Sequence, residues 1–338
     1  MAVLSPPTGT MPELVQIERP YRSIPEVKVD PECLEIRRRH FDDEIVFHAP
    51  GLKKYSTSEY TCQRPEEFVS ISLTGTACAL NCEHCQMQVL KGMLDLTGHR
   101  GGLFDLCRQL KQRGARGVLI SGGSDRQGRV PLMPHIPELI RVRRELGMTI
   151  RVHPGLPDEE TCRALAEVDI DGAMIDIIGH RDTIRDIYHL NAEPDDYEAC
   201  LERFHRYNLP SIPHIILGLH FGRLLGEWRA LEMIAKYPPK ILVLVIIMPL
   251  TGTPIAGVEP PSLEEIGGFF ELARKRLPET PIMLGCAKPL GSMKAHIDRL
   301  AIDAGFNGLA YPSDGMIAYA RERQLQPKFV NACCGVNW

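Results

Sequence analysis

The chain has 338 residues and a formal net charge of −4, with 44% hydrophobic and 24% charged residues. These are the fractions of a soluble globular protein. The charge balance gives no reason to expect a nucleic-acid or anionic-membrane partner. The opening segment, MAVLSPPTGTMPELVQ, lacks a basic stretch followed by an apolar one, so no signal peptide and a cytoplasmic location are expected. The longest apolar run, 241–250, is about half of what a bilayer crossing needs and reads as a buried strand. Eleven cysteines are many for such a chain. In a reducing compartment they point to metal or redox chemistry before a disulfide scaffold. Several are expected to pack as small hydrophobes.

In chain order, residues 1–30 are rich in proline and polar groups and read as extended or loosely ordered, and 31–41 as a short helix. A linking segment passes through His48, Pro50 and Gly51. From Phe68 the pattern becomes regular. Strands are expected at 68–74, 117–121, 149–153, 172–177, 211–217, 241–247, 281–284 and 308–311. Helices are expected between them at 103–113, 135–146, 158–165, 194–207, 224–235, 263–276 and 291–304. This alternation predicts a parallel sheet with crossover helices. About eight such repeats give an α/β fold of the (β/α)8 TIM type, complete or nearly so. The expected organisation is an N-terminal extension 1–67, a barrel 68–311 and a C-terminal tail 312–338 folding near the barrel mouth. A doubly wound open sheet is the alternative topology.

Chemistry in such barrels sits at the C-terminal strand ends and in the loops that follow. Cys78, Cys82 and Cys85 follow the first expected strand, and Ser121-Gly122-Gly123 ends the second. His153 ends the third, Asp176 closes the fourth, and Gly218 and His220 follow the fifth. Met248-Pro249 follows the sixth and Cys286 the seventh.

The segment Thr76-Ala-Cys-Ala-Leu-Asn-Cys-Glu-His-Cys-Gln86 has the spacing C-x3-C-x2-C. Three thiolates on one tight loop can each hold one iron of a cubane. They leave the fourth iron open for a small molecule, as a catalytic metal site requires, whereas structural zinc closes with four ligands. A zinc loop completed by His84 is the competing arrangement.

This motif, in the loop after the first barrel strand, resembles that of the radical S-adenosylmethionine (SAM) superfamily, and the resemblance spans roughly 68–311. It implies a 4Fe–4S cluster on Cys78, Cys82 and Cys85 that binds SAM at the open iron. One electron then splits SAM into methionine and a 5′-deoxyadenosyl radical, which abstracts hydrogen from an unreactive C–H bond. His84 stands where most members carry an aromatic residue, and it can still stack on adenine. Ser121-Gly122-Gly123-Ser124 resembles the family's Gly-Gly-Glu element for the SAM amino group, with Ser124 in the acidic position and Asp125 next to it. An ordinary strand-to-loop turn would look the same. Asp176 is placed to meet a ribose hydroxyl; Arg151 or Arg181 is the alternative partner. His153, His180, His214 and His220 read individually as hydrogen-bonded structural histidines. Met248-Pro-Leu-Thr-Gly-Thr-Pro254 is similar to an element of biotin synthase-type members.

Cysteines outside the main motif separate sulfur-inserting members from the rest. Cys62, Cys286, Cys333 and Cys334 are the candidates for an auxiliary 4Fe–4S cluster, brought together if the tail folds over the mouth. Adjacent Cys333 and Cys334 strain the backbone if both ligate, so one is expected to ligate and the other to pack. Cys107, Cys162 and Cys200 lie in helical stretches and read as packed thiols. Cys33, near a helix start ahead of the barrel, is ambiguous.

With the segments 47–51 and 284–291, this set is similar to the two-component lipoyl synthases. That resemblance implies sulfur insertion into an octanoyl chain on a lipoyl carrier protein. It also implies a second radical SAM partner protein and a small ferredoxin- or flavodoxin-type electron donor. The second cluster would be the sulfur source, and an apolar slot would take the chain. Two other readings compete: a single-cluster radical SAM enzyme of another cofactor pathway, and a non-catalytic metal-binding protein.

Overall fold

The computed structural model describes residues 27–50, 55–62 and 64–336. Most of the segment read as extended, 1–30, lies outside these residues, as do Gly51, Asn337 and Trp338.

Eleven strands form one parallel sheet: β1 (Glu44–His48), β2 (Phe68–Ser72), β3 (Leu94–Asp95), β4 (Gly117–Ser121), β5 (Thr149–Val152) and β6 (Gly172–Asp176), then β7 (Ser211–Leu217), β8 (Leu242–Ile246), β9 (Ile282–Leu284), β10 (Gly308–Ala310) and β11 (Gln326–Val330). The strand order is β11-β1-β10-β9-β8-β7-β6-β5-β4-β2-β3. Parallel neighbours need crossovers, and helices such as Gly102–Gln112, Glu159–Val168, Pro194–Arg206 and Leu263–Arg276 supply them. The sheet curls: Phe68 on β2 packs in one cluster with Val46 on β1 and Val330 on β11. Asn331 also donates to Glu67 at 3.3 Å. The result is an open, partial TIM-type barrel, with no ladder from β11 to β2 or β3 among the described residues.

Side chains alternate across each strand, and this splits the apolar interior in two. Ile71, Ile120, Ile150, Ile175, Leu217 and Leu244 belong to the large core that includes the helices. Met174, Ile212, Val243, Val245 and Met283 line the lumen instead. Strand β8, Leu-Val-Leu-Val-Ile, is buried on both faces and so reads as a continuous apolar run.

The eight expected strands are present as β2 and β4 to β10. The sheet also recruits β1 and β11 from the two flanking extensions. The short helix is observed as Glu32–His40. Among the described residues no helix is long and apolar enough to cross a membrane.

Beyond β11 the chain enters the lumen. Cys334 packs with Met174, Ile212, Val243 and Met283, while Cys333 packs with Val46 and Phe68. The Gly335 amide donates to His48 Nε2 at 3.2 Å, and its carbonyl accepts from Arg151 at 2.8 Å.

Candidate functional site

The loop after β2 carries Cys78, Cys82 and Cys85. Its backbone is tightly wound: the Cys85 and Gln86 amides both donate to the Cys82 carbonyl, at 3.2 and 2.9 Å. Asn81, Gln86 and Met87 adopt positive φ of 49°, 39° and 60°, a conformation that L residues hold only where the surroundings impose it. The segment after helix Arg181–Tyr188 buttresses the loop. His189 reaches the Leu80 carbonyl at 2.9 Å and Glu83 at 3.0 Å, and the Glu83 amide donates to Ile187 at 2.9 Å. A hydrogen bond between Cys82 and Cys85 raises the pKa of the first thiol and lowers that of the second, so Cys85 ionises before Cys82.

The loop after β4 lies against the cysteine loop. A Cβ on Gly123 would stand 1.8 Å from the Ala77 carbonyl oxygen and 2.6 Å from the Cys78 Cα. The Gly123 amide donates to Thr74 Oγ1 at 2.7 Å, and the Ser124 carbonyl accepts from Ala79 at 2.8 Å. Gly122 is less constrained, with 3.2 Å to the nearest atom. Asp125 is no substitute for a missing acid at Ser124. Its carboxylate accepts from the Gln127 and Arg129 amides of its own turn, both at 2.9 Å.

Asp176 meets neither arginine considered for it. Arg181 pairs with Glu193 at 2.9 Å, and Arg151 donates to Gly335. Instead Tyr188 donates to Asp176 at 3.1 Å, and His153 Nε2 lies 3.8 Å away. Burial alone would raise this carboxyl's pKa; His153, then His214 and His84, outweigh it and hold Asp176 well below the ordinary carboxylate range. The His84 ring sits 5.0 Å from Tyr188, and its Nδ1 is buried without a hydrogen-bond partner. His180 caps helix Arg181–Tyr188 by accepting from the Asp182 amide at 3.1 Å, and His220 meets Thr183 at 3.3 Å. Both fit a structural role.

The sequence reading missed Glu227. Its buried carboxylate closes the loop after β7 by accepting from Gly218, Leu225 and Gly226 at 3.0, 2.7 and 2.9 Å. A lone acid ten residues beyond a strand end carries no local signal.

A second set of thiols lies outside the Cys78 loop. Burial raises the Tyr311 hydroxyl far above its ordinary range, and Cys286, Cys333, Cys334 and Cys62 each add to this, in that order. All four thiols thus act electrostatically on one tyrosine. Tyr311 has a φ of 47° and donates to the Pro50 carbonyl at 2.6 Å; it too was missed. Cys62 donates to Asn331 Oδ1 at 3.4 Å. Cys286 is exposed and Cys333 and Cys334 are buried, with burial pushing Cys333 up to about 12. No disulfide joins any of the eleven cysteines, and Cys33, Cys107, Cys162 and Cys200 are fully buried.

Among the described residues no three His, Cys, Asp or Glu side chains converge on one metal-ion position. A cubane asks for something else, because each thiolate takes its own iron. Three thiols on one loop, a backbone approach that only glycine permits, and the orphaned His84 nitrogen fit a cluster with a bound nucleoside-bearing ligand.

Fold and site together define an α/β-barrel enzyme with a three-thiol loop at its mouth. Residues 72–222 match the model of the radical SAM superfamily. Over 288 residues the chain is 26% identical to a biotin synthase of Halorhodospira halophila (strain DSM 244 / SL1), covering 81% of this chain and 78% of that one. The fold is similar to that of methylornithine synthase (PylB), with a TM-score of 0.56, 14% identity, and 88% and 87% of the two chains covered. It is also similar to HydG, a maturase of the [FeFe]-hydrogenase, with a TM-score of 0.59, 13% identity, and 88% and 67% covered. The chain is thus similar to the radical SAM superfamily over residues 72–222 and to a biotin synthase over most of its length. That similarity implies a 4Fe–4S cluster with SAM, for which Cys78, Cys82 and Cys85 are the available thiols.

Proposed function

We propose that this radical SAM enzyme inserts sulfur into an unactivated C–H bond, with a protein-bound octanoyl chain of lipoate biosynthesis as its substrate. The observation that supports this is that Cys62, Cys286, Cys333 and Cys334, none of them in the Cys78 loop, all bear on the Tyr311 hydroxyl. Cys62, Cys286 and one of the adjacent pair Cys333 and Cys334 are the proposed ligands of an auxiliary 4Fe–4S cluster. When bound, the first cluster with SAM supplies the hydrogen-abstracting radical, and the second supplies the sulfur atom.

The chain's own residues do the holding and orienting. Cys78, Cys82 and Cys85 hold the first cluster. The Gly122-Gly123-Ser124 backbone would receive the SAM amino group, and His84 and Asp176 would serve its adenine and ribose. The wall formed by Met174, Ile212, Val243, Val245 and Met283 suits an apolar chain, for which a largely apolar pocket with few polar groups is required. The proposed partners are an octanoylated lipoyl carrier protein, a second radical SAM protein and a ferredoxin- or flavodoxin-type donor, with a cytoplasmic location.

The test is anaerobic turnover of the reconstituted protein with SAM, a reductant and octanoylated carrier protein, followed by mass spectrometry of the carrier and assay of 5′-deoxyadenosine. The expected result is 5′-deoxyadenosine together with sulfur on the octanoyl chain. SAM cleavage with a second cluster and no sulfur product would overturn the substrate; a zinc-bound protein that leaves SAM intact would overturn the enzyme reading altogether.

A further inference from the structure

Four basic side chains are buried among the described residues: Arg37, Arg151, Arg274 and Lys288. Three have ample partners. Arg37 donates to the Asp42 and Glu44 carbonyls at 2.5 and 2.6 Å. Arg274 donates to four carbonyls and to Asn307 Oδ1. Lys288 is ion-paired with Asp298.

Arg151 differs. It is 4% exposed, and among the described residues its one hydrogen bond runs from Nη2 to the Gly335 carbonyl, 184 residues away in the chain, while its Nε, like those of Arg37 and Arg274, has no partner. Asp171 does not neutralise it, because that carboxylate is held by Arg143 and the Ile150 amide. A guanidinium buried without an anion is costly. The thiols of Cys333 and Cys334 are the other acidic groups that bear on it. Gly335 is fitted to this spot. Its φ is 75°, a Cβ there would lie 2.3 Å from Ile241 Cδ1, and its amide donates to buried His48 at 3.2 Å. The C-terminal segment is thus pinned through both backbone groups of one residue, with Cys334 in the lumen.

We infer that Arg151 is the positioning residue of the second thiol group: it docks the C-terminal segment in the barrel through Gly335, and it stands as counter-charge to an anionic iron–sulfur centre carried by Cys286 and Cys334. The counter-charge half rests on the auxiliary-cluster reading above; the docking half does not. A cluster's net charge and surroundings set its potential, so a fixed cation beside it favours the reduced form.

Arg151→Met keeps the packing volume and removes the charge, and Arg151→Lys restores the charge. Gly335→Ala disturbs the dock from the other side and leaves Arg151 in place. Each is made in the full chain, with circular dichroism to confirm the fold. Hydrogen exchange at residues 333–336 tests docking. Arg151→Met and Gly335→Ala are expected to exchange at least about tenfold faster than wild type, the scale of one lost charge-assisted hydrogen bond. Unchanged exchange in Arg151→Met overturns docking. If Arg151→Met fails to fold, the Gly335→Ala result decides docking by the same criterion.

Iron content and midpoint potential, measured with Cys78, Cys82 and Cys85 replaced by alanine, test the counter-charge. Arg151→Met is expected to lose cluster or to shift its potential negative, and Arg151→Lys to recover both. Equal iron and equal potential in Arg151→Met overturn the counter-charge. If no cluster forms in that background even with Arg151, the auxiliary-cluster reading and the counter-charge fall together, while the exchange result still decides docking.

Discussion

Gly123 shows how a single residue shapes this site. The loops after β2 and β4 come so close that a methyl group would overlap the backbone of Ala77 and Cys78. A backbone neighbour cannot swing aside as a side chain can. Gly123→Ala is therefore expected to displace the Cys78 loop at a cost of about 1–3 kcal/mol, typical of overpacking, leaving the barrel folded but binding less iron and SAM. Iron analysis and SAM titration beside a thermal melt check this; wild-type iron and affinity would contradict it. At this scale the sequence was most informative where the geometry is local. Cys78, Cys82 and Cys85 lie within one loop, so their spacing alone carries the chemistry. Glu227, Tyr311 and Arg151 gave no such signal. The partners of Tyr311 and Arg151 arrive from distant segments, and Glu227 acts on loop amides whose conformation no residue type announces.

Strands β1 and β11 were illegible for a related reason. β1 has three apolar residues between charged or polar ones, and β11 contains Pro327 and Lys328. Neither looks like a strand until they pair with each other and β1 pairs with β10. His48 ends β1 inside the barrel, fully buried, its Nε2 facing Gly335 and its Nδ1 unpartnered. Burial holds its pKa down at about 3, against 6.5 in the open chain. The folded protein therefore keeps His48 neutral, while the unfolded chain takes up a proton below 6.5. The stability this provides is intact above pH 6.5 and drains away as the pH falls towards about 3, by about 1.4 kcal/mol per pH unit. Glutamine in its place can still accept from Gly335 but does not titrate. His48→Gln is expected to flatten the acid limb of a denaturant-stability profile over that window. Parallel profiles for variant and wild type would contradict this assignment.

For the whole molecule, curvature brings the chemistry together. A sheet curled enough to pack Phe68 in one cluster with Val330 sets the cysteine loop after β2 and Cys286 after β9 at the same C-terminal end of the strands. The alternation of strands and helices was readable in advance because each βα unit is local and periodic. The entry of the segment around Cys334 and Gly335 into the lumen was not, because no sequence pattern distinguishes a segment that fills a barrel from one that covers it. The two thiol groups are the centre of this account, and one measurement tests it most directly. Cys78, Cys82 and Cys85 are replaced together by alanine, the protein is reconstituted anaerobically, and iron, sulfide and the Mössbauer spectrum are compared with wild type. The account predicts that one 4Fe–4S cluster survives in this variant and disappears when Cys286→Ala is added. A variant without any cluster, beside a wild type that holds one, would leave a radical SAM enzyme with a single cluster and remove the basis for sulfur insertion.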